Sequence, residues 1–206
     1  MKGITISNVT PQQKMVAVNN KFGNKNIANQ QGSTRTIYSS LPLDGRTNFR
    51  FFENATQQAF PLTNIGSEGN RLEVGSTFTI QKIYFVFLVY DAVNNTITAA
   101  NNSSIFFAGD VRVPFATAEL DIFIANSQVI KQLPTHFNEG PTFNSTALNT
   151  SDYAFSFNTD IVIPPLLEYV ANLRTTSYDV AGLGGHTHLM CVLQGSAGII
   201  APQTTF

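Results

Sequence analysis

Short apolar segments of strand length, separated by turn-forming residues, constrain the fold of this chain more than any other feature. The longest, residues 83–90, is rich in aromatic and β-branched side chains and lies between Gly75 and the turn signals Asp91, Asn94 and Asn95. An apolar run of this length is typical of a strand buried on both faces, as in the middle of a packed sandwich.

Further segments predict additional strands. The clearest are residues 119–124, 153–157, 161–163 and 189–193, in which side chains alternate between two faces. Residues 166–173 fit either a helix or a strand, and the Thr- and Ser-rich continuation favours the strand. In all, about eight to ten short strands separated by Gly, Pro and Asn clusters predict an all-β sandwich, jelly roll or barrel.

The charges divide the chain into two parts. Residues 1–47 carry a net charge of +5, and residues 48–206 carry −6. The stretch 11–33 is rich in Asn and Gln and has few apolar residues, which favours an extended conformation. We therefore predict a basic, Asn/Gln-rich N-terminal arm over residues 1–47 and a β-domain over residues 48–206.

The low content of charged residues bears on how the chain behaves in solution. Charged residues make up 12% of the sequence and the net charge is −1, whereas a typical soluble protein has about 25% charged residues. Such a surface does little to repel copies of itself, so it favours self-association over a low-charge monomer. Because neither a signal peptide nor an apolar run of membrane-spanning length is visible, we expect synthesis in the cytoplasm.

His186 and His188 are the strongest candidate for a metal site, because residues at i and i+2 of a strand point to the same face. Cupin metalloenzymes use such a pair, with a Gly upstream and a Glu downstream at fixed spacings. At those positions this chain has Val180, and Val192 or Leu193. The pattern therefore fails, and we expect a Gly-rich loop that ends in polar histidines.

Other catalytic patterns are also incomplete. Cys191 lies among apolar residues and is expected to be a buried, unreactive thiol. Glu119 and Asp121 share a strand face, as a catalytic carboxylate pair would need, but a solvated sheet surface explains them. Asp91, Asn94 and Asn95 are the nearest approach to a Ca²⁺-binding loop, and a turn explains them. We predict that the protein is not an enzyme, with no catalytic residue, no cofactor and no metal ligand.

The arm supplies candidate contacts for an anionic partner. Nonspecific attraction to phosphates requires cations and releases counterions, whereas few aromatic residues in the arm are available for base stacking. A solvated tail remains the alternative. The candidate contacts with nucleic acid or an inner surface are Lys2, Lys14, Lys21, Lys25 and Arg35.

Three segments carry a resemblance to a known family: GSTFTIQKI at 75–83, LDIFIANSQVI at 120–130 and IVIPP at 161–165. Together with the closing strand at 189–199, they resemble the jelly-roll coat proteins of tailless icosahedral bacteriophages, a lineage shared with adenovirus. The resemblance covers residues 70–200 and lies in the residue pattern of these segments and in the strand order. It implies one jelly roll, as in the single-jelly-roll or vertex (penton) members, with a shell role, an inward-facing arm and no catalysis.

Taken together, we predict an extended arm followed by a single jelly-roll β-sandwich over residues 48–206. The predicted function is that of a virion structural protein, a shell or vertex subunit of the capsid made in the host cytoplasm. Its partners would be copies of itself, other virion proteins and, through the arm, the packaged genome or an inner membrane surface. No small-molecule substrate is expected. The alternative is a receptor- or carbohydrate-binding β-sandwich such as a phage spike or head fibre, and a jelly-roll enzyme comes third.

Overall fold

The computed structural model of the chain describes residues 30–53, 59–65, 70–101, 109–135, 154–183 and 185–200, together with Gln13 and Ala17. Within these residues the protein is an all-β fold of nine strands with very little helix. The strands are β1 (Gln30–Pro42), β2 (Asn48–Phe51), β3 (Thr77–Asp91), β4 (Thr96–Asn101), β5 (Glu119–Ile124), β6 (Ser127–Pro134), β7 (Phe155–Ile163), β8 (Tyr169–Arg174) and β9 (His188–Ile200). A short helix, α1 (Gly109–Ala116), precedes β5, and a 3-10 turn (Val180–Leu183) precedes β9.

The strands form two antiparallel sheets. The five-stranded sheet has the order β1-β9-β3-β4, and β7 also pairs with β3, along its first half. The four-stranded sheet has the order β2-β8-β5-β6. In the five-stranded sheet, the first strand of the chain, β1, lies beside the last, β9. Gln30–Pro42 is paired along its whole length to residues of His188–Ile200.

The core lies between the inner faces of the two sheets and is rich in Phe. Phe85 of β3 contacts Phe51 of β2 across the sandwich, with ring centroids 6.0 Å apart. Phe115 of α1 closes one end of the core, 5.1 Å from Phe87 and 6.0 Å from Phe49. Burial of each such side chain contributes about 1.5–3 kcal/mol, so period-two placement of Phe on β2 and β3 accounts for much of the packing between the sheets.

A register shift between Ile80 and Lys82 on β3 keeps apolar residues on the inner face before and after it. Opposite this bulge lies Gly195 of β9. A Cβ atom at this position would stand 1.8 Å from the carbonyl oxygen of Thr79. The close approach of β3 and β9 at the bulge therefore requires glycine.

The all-β prediction is confirmed, and the strands expected within residues 83–90, 119–124 and 189–193 are all present. In the ambiguous segment 166–173, Leu166 lies in a turn and β8 begins at Tyr169, so the choice of a strand is correct for its second half. Of the predicted strand at 153–157, residues 155–157 belong to β7.

The predicted boundary between arm and domain, at residue 47, is corrected by β1. This strand lies inside the segment assigned to the arm, and its Ile37 is buried in the core. Residues 30–36 are mostly polar or small, so no apolar pattern predicts a strand there. They form a strand because they pair with β9, at the far end of the chain. Residues 30–47 thus belong to the sandwich, and an arm over residues 1–29 stays a prediction, since it lies outside the described residues apart from Gln13 and Ala17.

Candidate functional site

The predicted arm contacts separate into two groups. Arg35 lies on β1, where its Nη1 atom donates a hydrogen bond to Ser76 Oγ at 3.3 Å. It lines a cavity of about 470 Å³ near one edge of the sandwich, together with Asn64 and Tyr169. Arg35 is thus part of a sheet, and the other candidate contacts lie outside the described residues: Lys2, Lys14, Lys21 and Lys25.

Tyr169 contributes a buried phenol to the lining of this cavity. Burial raises the pKa of its phenol, and the charge of Arg35 opposes that rise. Arg71, at the cavity wall, forms an ion pair with Glu168. The cavity therefore combines a neutral phenol and the acid Glu73 with one cation that is already paired and one, Arg35, that contacts a hydroxyl.

His188 begins β9, whereas His186 lies just before the strand, and both rings contact aromatic side chains. The ring of His188 is 5.2 Å from that of Tyr90, and the ring of His186 is 6.3 Å from that of Phe87, each near edge-on. Burial lowers the pKa of both imidazoles, which keeps them neutral at neutral pH. Among the residues that the structure describes, no three His, Cys, Asp or Glu side chains are grouped so that they could hold a metal ion.

Cys191 is a free thiol buried in the core, as predicted. Burial raises its pKa well above the ordinary value, so the sulfur stays protonated and is a poor nucleophile. The helices within the described part of the chain are too short or too polar to cross a membrane.

The Asp91 turn is also present as predicted. The Oδ1 atom of Asp91 accepts hydrogen bonds from the backbone N–H groups of Val93 at 2.9 Å and Asn94 at 3.3 Å. Its Oδ2 atom accepts one from Asn94 Nδ2 at 2.6 Å. These bonds, led by the one from the Asn94 side chain, lower the pKa of the Asp91 carboxyl.

Glu119 and Asp121 share a face of β5, but the expectation of a solvated surface is wrong for Asp121. This residue is 5% exposed, and its Oδ2 atom pairs with Arg174 Nη2 at 3.1 Å. Its Oδ1 atom accepts hydrogen bonds from Gln128 Nε2 at 2.9 Å and from the Gln132 backbone N–H at 2.7 Å. Because its partners come from β6 and β8, Asp121 ties three strands together.

The outer face of the five-stranded sheet carries an apolar cluster. Val86, Leu88 and Val192 are buried there, although they point away from the core between the sheets. Half-buried side chains pack around them, and we call the whole set the outer apolar cluster: Tyr38, Tyr84, Ile97 and Met190 with the three buried residues.

An apolar groove of about 410 Å³ opens beside this cluster. The side chain of Phe60 projects at its edge and is 75% exposed, while its backbone carbonyl accepts a hydrogen bond from Asn95 Nδ2 at 3.2 Å. A few residues on, Thr63 Oγ1 donates to the Tyr38 carbonyl at 2.8 Å. Hydrogen bonds at Phe60 and at Thr63 thus fix residues 60–63 against the sheet. The groove is lined by Tyr38, Phe60, Pro61, Asn95, Thr96, Ile97 and Met190.

The outer face of the four-stranded sheet is polar. A groove of about 440 Å³, which we call the polar groove, runs across β2, β8 and β5 to the β5–β6 turn. Its charged members are paired, Arg50 with Glu53 at 2.9 Å and Glu168 with Arg71. The groove is lined by Asn48, Arg50, Phe123, Ala125, Asn126, Glu168, Val170 and Asn172.

Sequence reasoning missed both grooves, because each is assembled from segments that are far apart in the chain. Period-two alternation does place Asn48 with Arg50, and Val170 with Asn172, on common strand faces. It contains no information on which strands become neighbours. No local sequence motif could therefore have identified either groove.

No protein-family model, curated protein or solved structure matches this chain. A function for it must therefore be argued from its own geometry and surface chemistry.

Proposed function

We propose that this chain is a virion structural protein, a shell or vertex subunit of a capsid, built on a single jelly roll. The observation that carries the proposal is the strand pairing. The first strand pairs with the last, β1 with β9, and pairing continues inward as β2 with β8, β3 with β7 and β5 with β6. Successive pairs alternate between the two sheets, with β4 set aside as an added strand beside β3. This is the pattern expected when one long hairpin is rolled into a two-sheet jelly roll.

The surface supports a subunit that is covered by neighbours. With 12% charged residues and a net charge of −1, electrostatic repulsion between copies is weak. The apolar groove adds an exposed Phe60 beside a cluster that is already apolar. Exposed apolar patches of this kind mark association sites on soluble proteins, so we propose that the groove contacts another copy or another virion protein.

The residues before β1 supply the proposed inward-facing charge. Residues 1–29 contain four lysines and no acidic residue. In a capsid this segment would neutralise the packaged genome or an inner anionic lipid surface, without sequence preference and through counterion release. Arg35 is excluded from this role in the proposal, because it lines a cavity of the sandwich.

Electron microscopy and light scattering of the purified chain test the assembly proposal. We expect pentamers, trimers or closed shells, and Phe60→Asp should reduce assembly because it places a charge in the apolar groove. Val129→Asp is the matched control, since Val129 is also an exposed apolar residue but lies on β6 of the other sheet. A monomer at high protein concentration and moderate salt would contradict the capsid proposal and favour the binding-module alternative. Equal assembly of Phe60→Asp and the native chain would remove the groove from it.

Replacement of Lys14, Lys21 and Lys25 together by Gln tests the arm. Binding to DNA or to anionic vesicles should become less sensitive to salt. For duplex DNA the slope of log K against log salt should fall by up to about 2.7 if each lysine contacts one phosphate. A truncation should remove residues 1–29, because β1 begins at Gln30. If the neutral arm binds and assembles like the native one, its charge has no part in the function.

A further inference from the structure

The polar groove has the layout of a small-molecule site rather than of a general protein surface. Phe123 of β5 and Val170 of β8 are cross-strand neighbours and form an apolar floor. Asn172 lies one step along β8 on the same face, opposite Arg50 of β2. At about 440 Å³, the groove is within the range of about 300–1,000 Å³ typical of ligand sites.

Three amide side chains stand around this floor. Asn48 and Asn126 are exposed, and Asn172 is half-buried. The Oδ1 atom of Asn172 is buried, out of reach of a ligand in this conformation, and has no hydrogen-bond donor among the described residues. A turn of this amide toward the groove would let a ligand hydroxyl supply the missing donor. Each amide offers both donors and an acceptor, which is the pairing that a hydroxyl group needs because it too both donates and accepts.

The charged residues that line the groove restrict the ligand further. Arg50 is paired with Glu53 at 2.9 Å, and Glu168 is paired with Arg71. A charged ligand would have to compete with these pairs, whereas a neutral one leaves them intact. The required ligand is therefore neutral, with many hydroxyls at its edges and an aliphatic face for the aromatic floor.

These requirements describe a sugar, and we propose that the polar groove binds a neutral saccharide. The aliphatic ring face lies on Phe123 and Val170, and hydroxyls at the ring edge bond to the amides of Asn48, Asn126 and Asn172. In a virion this would add a host-surface or glycan contact to a structural subunit. The inference does not rest on assembly, because every residue of the groove comes from one chain.

Saturation-transfer NMR and titration calorimetry on the full chain test the proposal. The probes are the methyl glycosides of glucose, galactose, mannose and N-acetylglucosamine, the disaccharides lactose and cellobiose, and glucuronic acid as a charged comparison. We expect saturable binding of at least one neutral probe, with the ring C–H protons of the sugar receiving the strongest transfer from the protein.

Variants locate the site. Asn48→Ala and Asn126→Ala should each weaken binding about tenfold, the effect expected for one lost hydrogen bond. Because both residues are exposed, these substitutions should not affect folding. Phe123→Ala should abolish binding, but it removes a half-buried ring, so the test does not depend on it. Asn158→Ala is the matched control, because Asn158 is an exposed amide on β7 of the other sheet.

Three outcomes would overturn the inference. One is that no neutral saccharide of the panel binds. Another is that binding is unchanged in Asn48→Ala and Asn126→Ala, which would place the sugar elsewhere. The third is a preference for glucuronic acid that Arg35→Gln abolishes, which would assign the ligand to the cavity lined by Arg35. Each readout concerns binding by a single chain, so a failure here is distinguishable from a failure to assemble.

Discussion

The outer faces of the two sheets differ although their inner faces share one core. On the five-stranded sheet, Leu88 and Val192 are only 2% and 4% exposed even though they point away from that core. On the four-stranded sheet, the corresponding positions hold amides and ion pairs, such as Asn172 and the Arg174–Asp121 pair. The central strands β3 and β9 are apolar on both faces, whereas β5 and β8 are apolar mainly on one.

Because of this difference, the two outer faces are suited to different contacts. Apolar side chains gain free energy when they are removed from water, so the outer face of the five-stranded sheet is suited to packing against other protein. Amides and paired charges keep their hydrogen-bonding groups available, so the other face is suited to water and polar ligands. Substitutions on the two sheets should therefore have unequal effects on stability.

The largest effect is expected for Gly195→Ala, at the bulge that sets the pairing of the two apolar strands. The added Cβ would stand 1.8 Å from the Thr79 carbonyl oxygen, so we expect a loss of more than about 4 kcal/mol in the free energy of unfolding, or failure to fold. Gly32→Ala on β1 is the control, because no atom lies within 4 Å of its new Cβ. Urea unfolding measures both, and similar stabilities would contradict the β3–β9 register.

Next in size is a matched valine pair that tests the comparison directly. Val192→Ala removes methyl groups from the buried outer apolar cluster and should cost about 2 kcal/mol. Val170→Ala makes the same change on the outer face of the four-stranded sheet, where the side chain is half-buried, and should cost less than about 1 kcal/mol. Equal costs in chemical denaturation would mean that the two outer faces are equally solvated.

On the polar face, Arg174→Met should cost about 1–2 kcal/mol, between the values of exposed and buried ion pairs. The reason is that Asp121 is buried and keeps its bonds from Gln128 and Gln132 but loses the cation 3.1 Å away. Arg50→Met breaks an exposed pair with Glu53 and serves as the control. Added salt should not reduce the Arg174→Met difference to zero if burial of Asp121 is the cause, whereas it should screen the exposed Arg50–Glu53 pair. A native-like Arg174→Met would show that the Asp121 pair is energetically neutral.

The smallest effect concerns Asp44, in the connection between β1 and β2 that links the two sheets. A hydrogen bond from the Arg46 side chain is the main cause that lowers the Asp44 pKa from 3.8 to about 2. Its folded pKa lies below its unfolded one, so its stabilisation is present above about pH 4 and is lost as the pH falls toward 2. The contribution is small because the pair is exposed to solvent.

An NMR titration of the Asp44 carboxyl carbon checks this prediction. Arg46→Gln should raise the Asp44 pKa toward 3.8, and Arg50→Gln should leave it unchanged. If the pKa in the native chain is already near 3.8, the Asp44–Arg46 contact at 2.6 Å does not persist in solution.

Local sequence patterns were sufficient for several of the strands, although not for β4 or β6. The period-two segments predicted β5, β9 and parts of β7, the apolar run at 83–90 predicted β3 as a strand buried on both faces, and the Asp91 turn followed from its Asp and Asn residues. These features depend on neighbours within a few residues, because alternation decides which side chains share a face. The buried state of Cys191 followed for the same reason.

Pairing between distant segments decided the rest. The sequence indicated only a short strand at 37–38, and the polar first half of β1 is a strand because it pairs with β9 at the other end of the chain. Asp121 reads as a surface acid until β6 and β8 surround it. The outer apolar cluster joins β1, β3, β4 and β9, and the polar groove joins β2, β5 and β8. The sequence by itself determined which side chains share a strand face. Only the tertiary structure decided which faces meet, because hydrogen bonding between strands does not depend on how far apart they lie in the sequence.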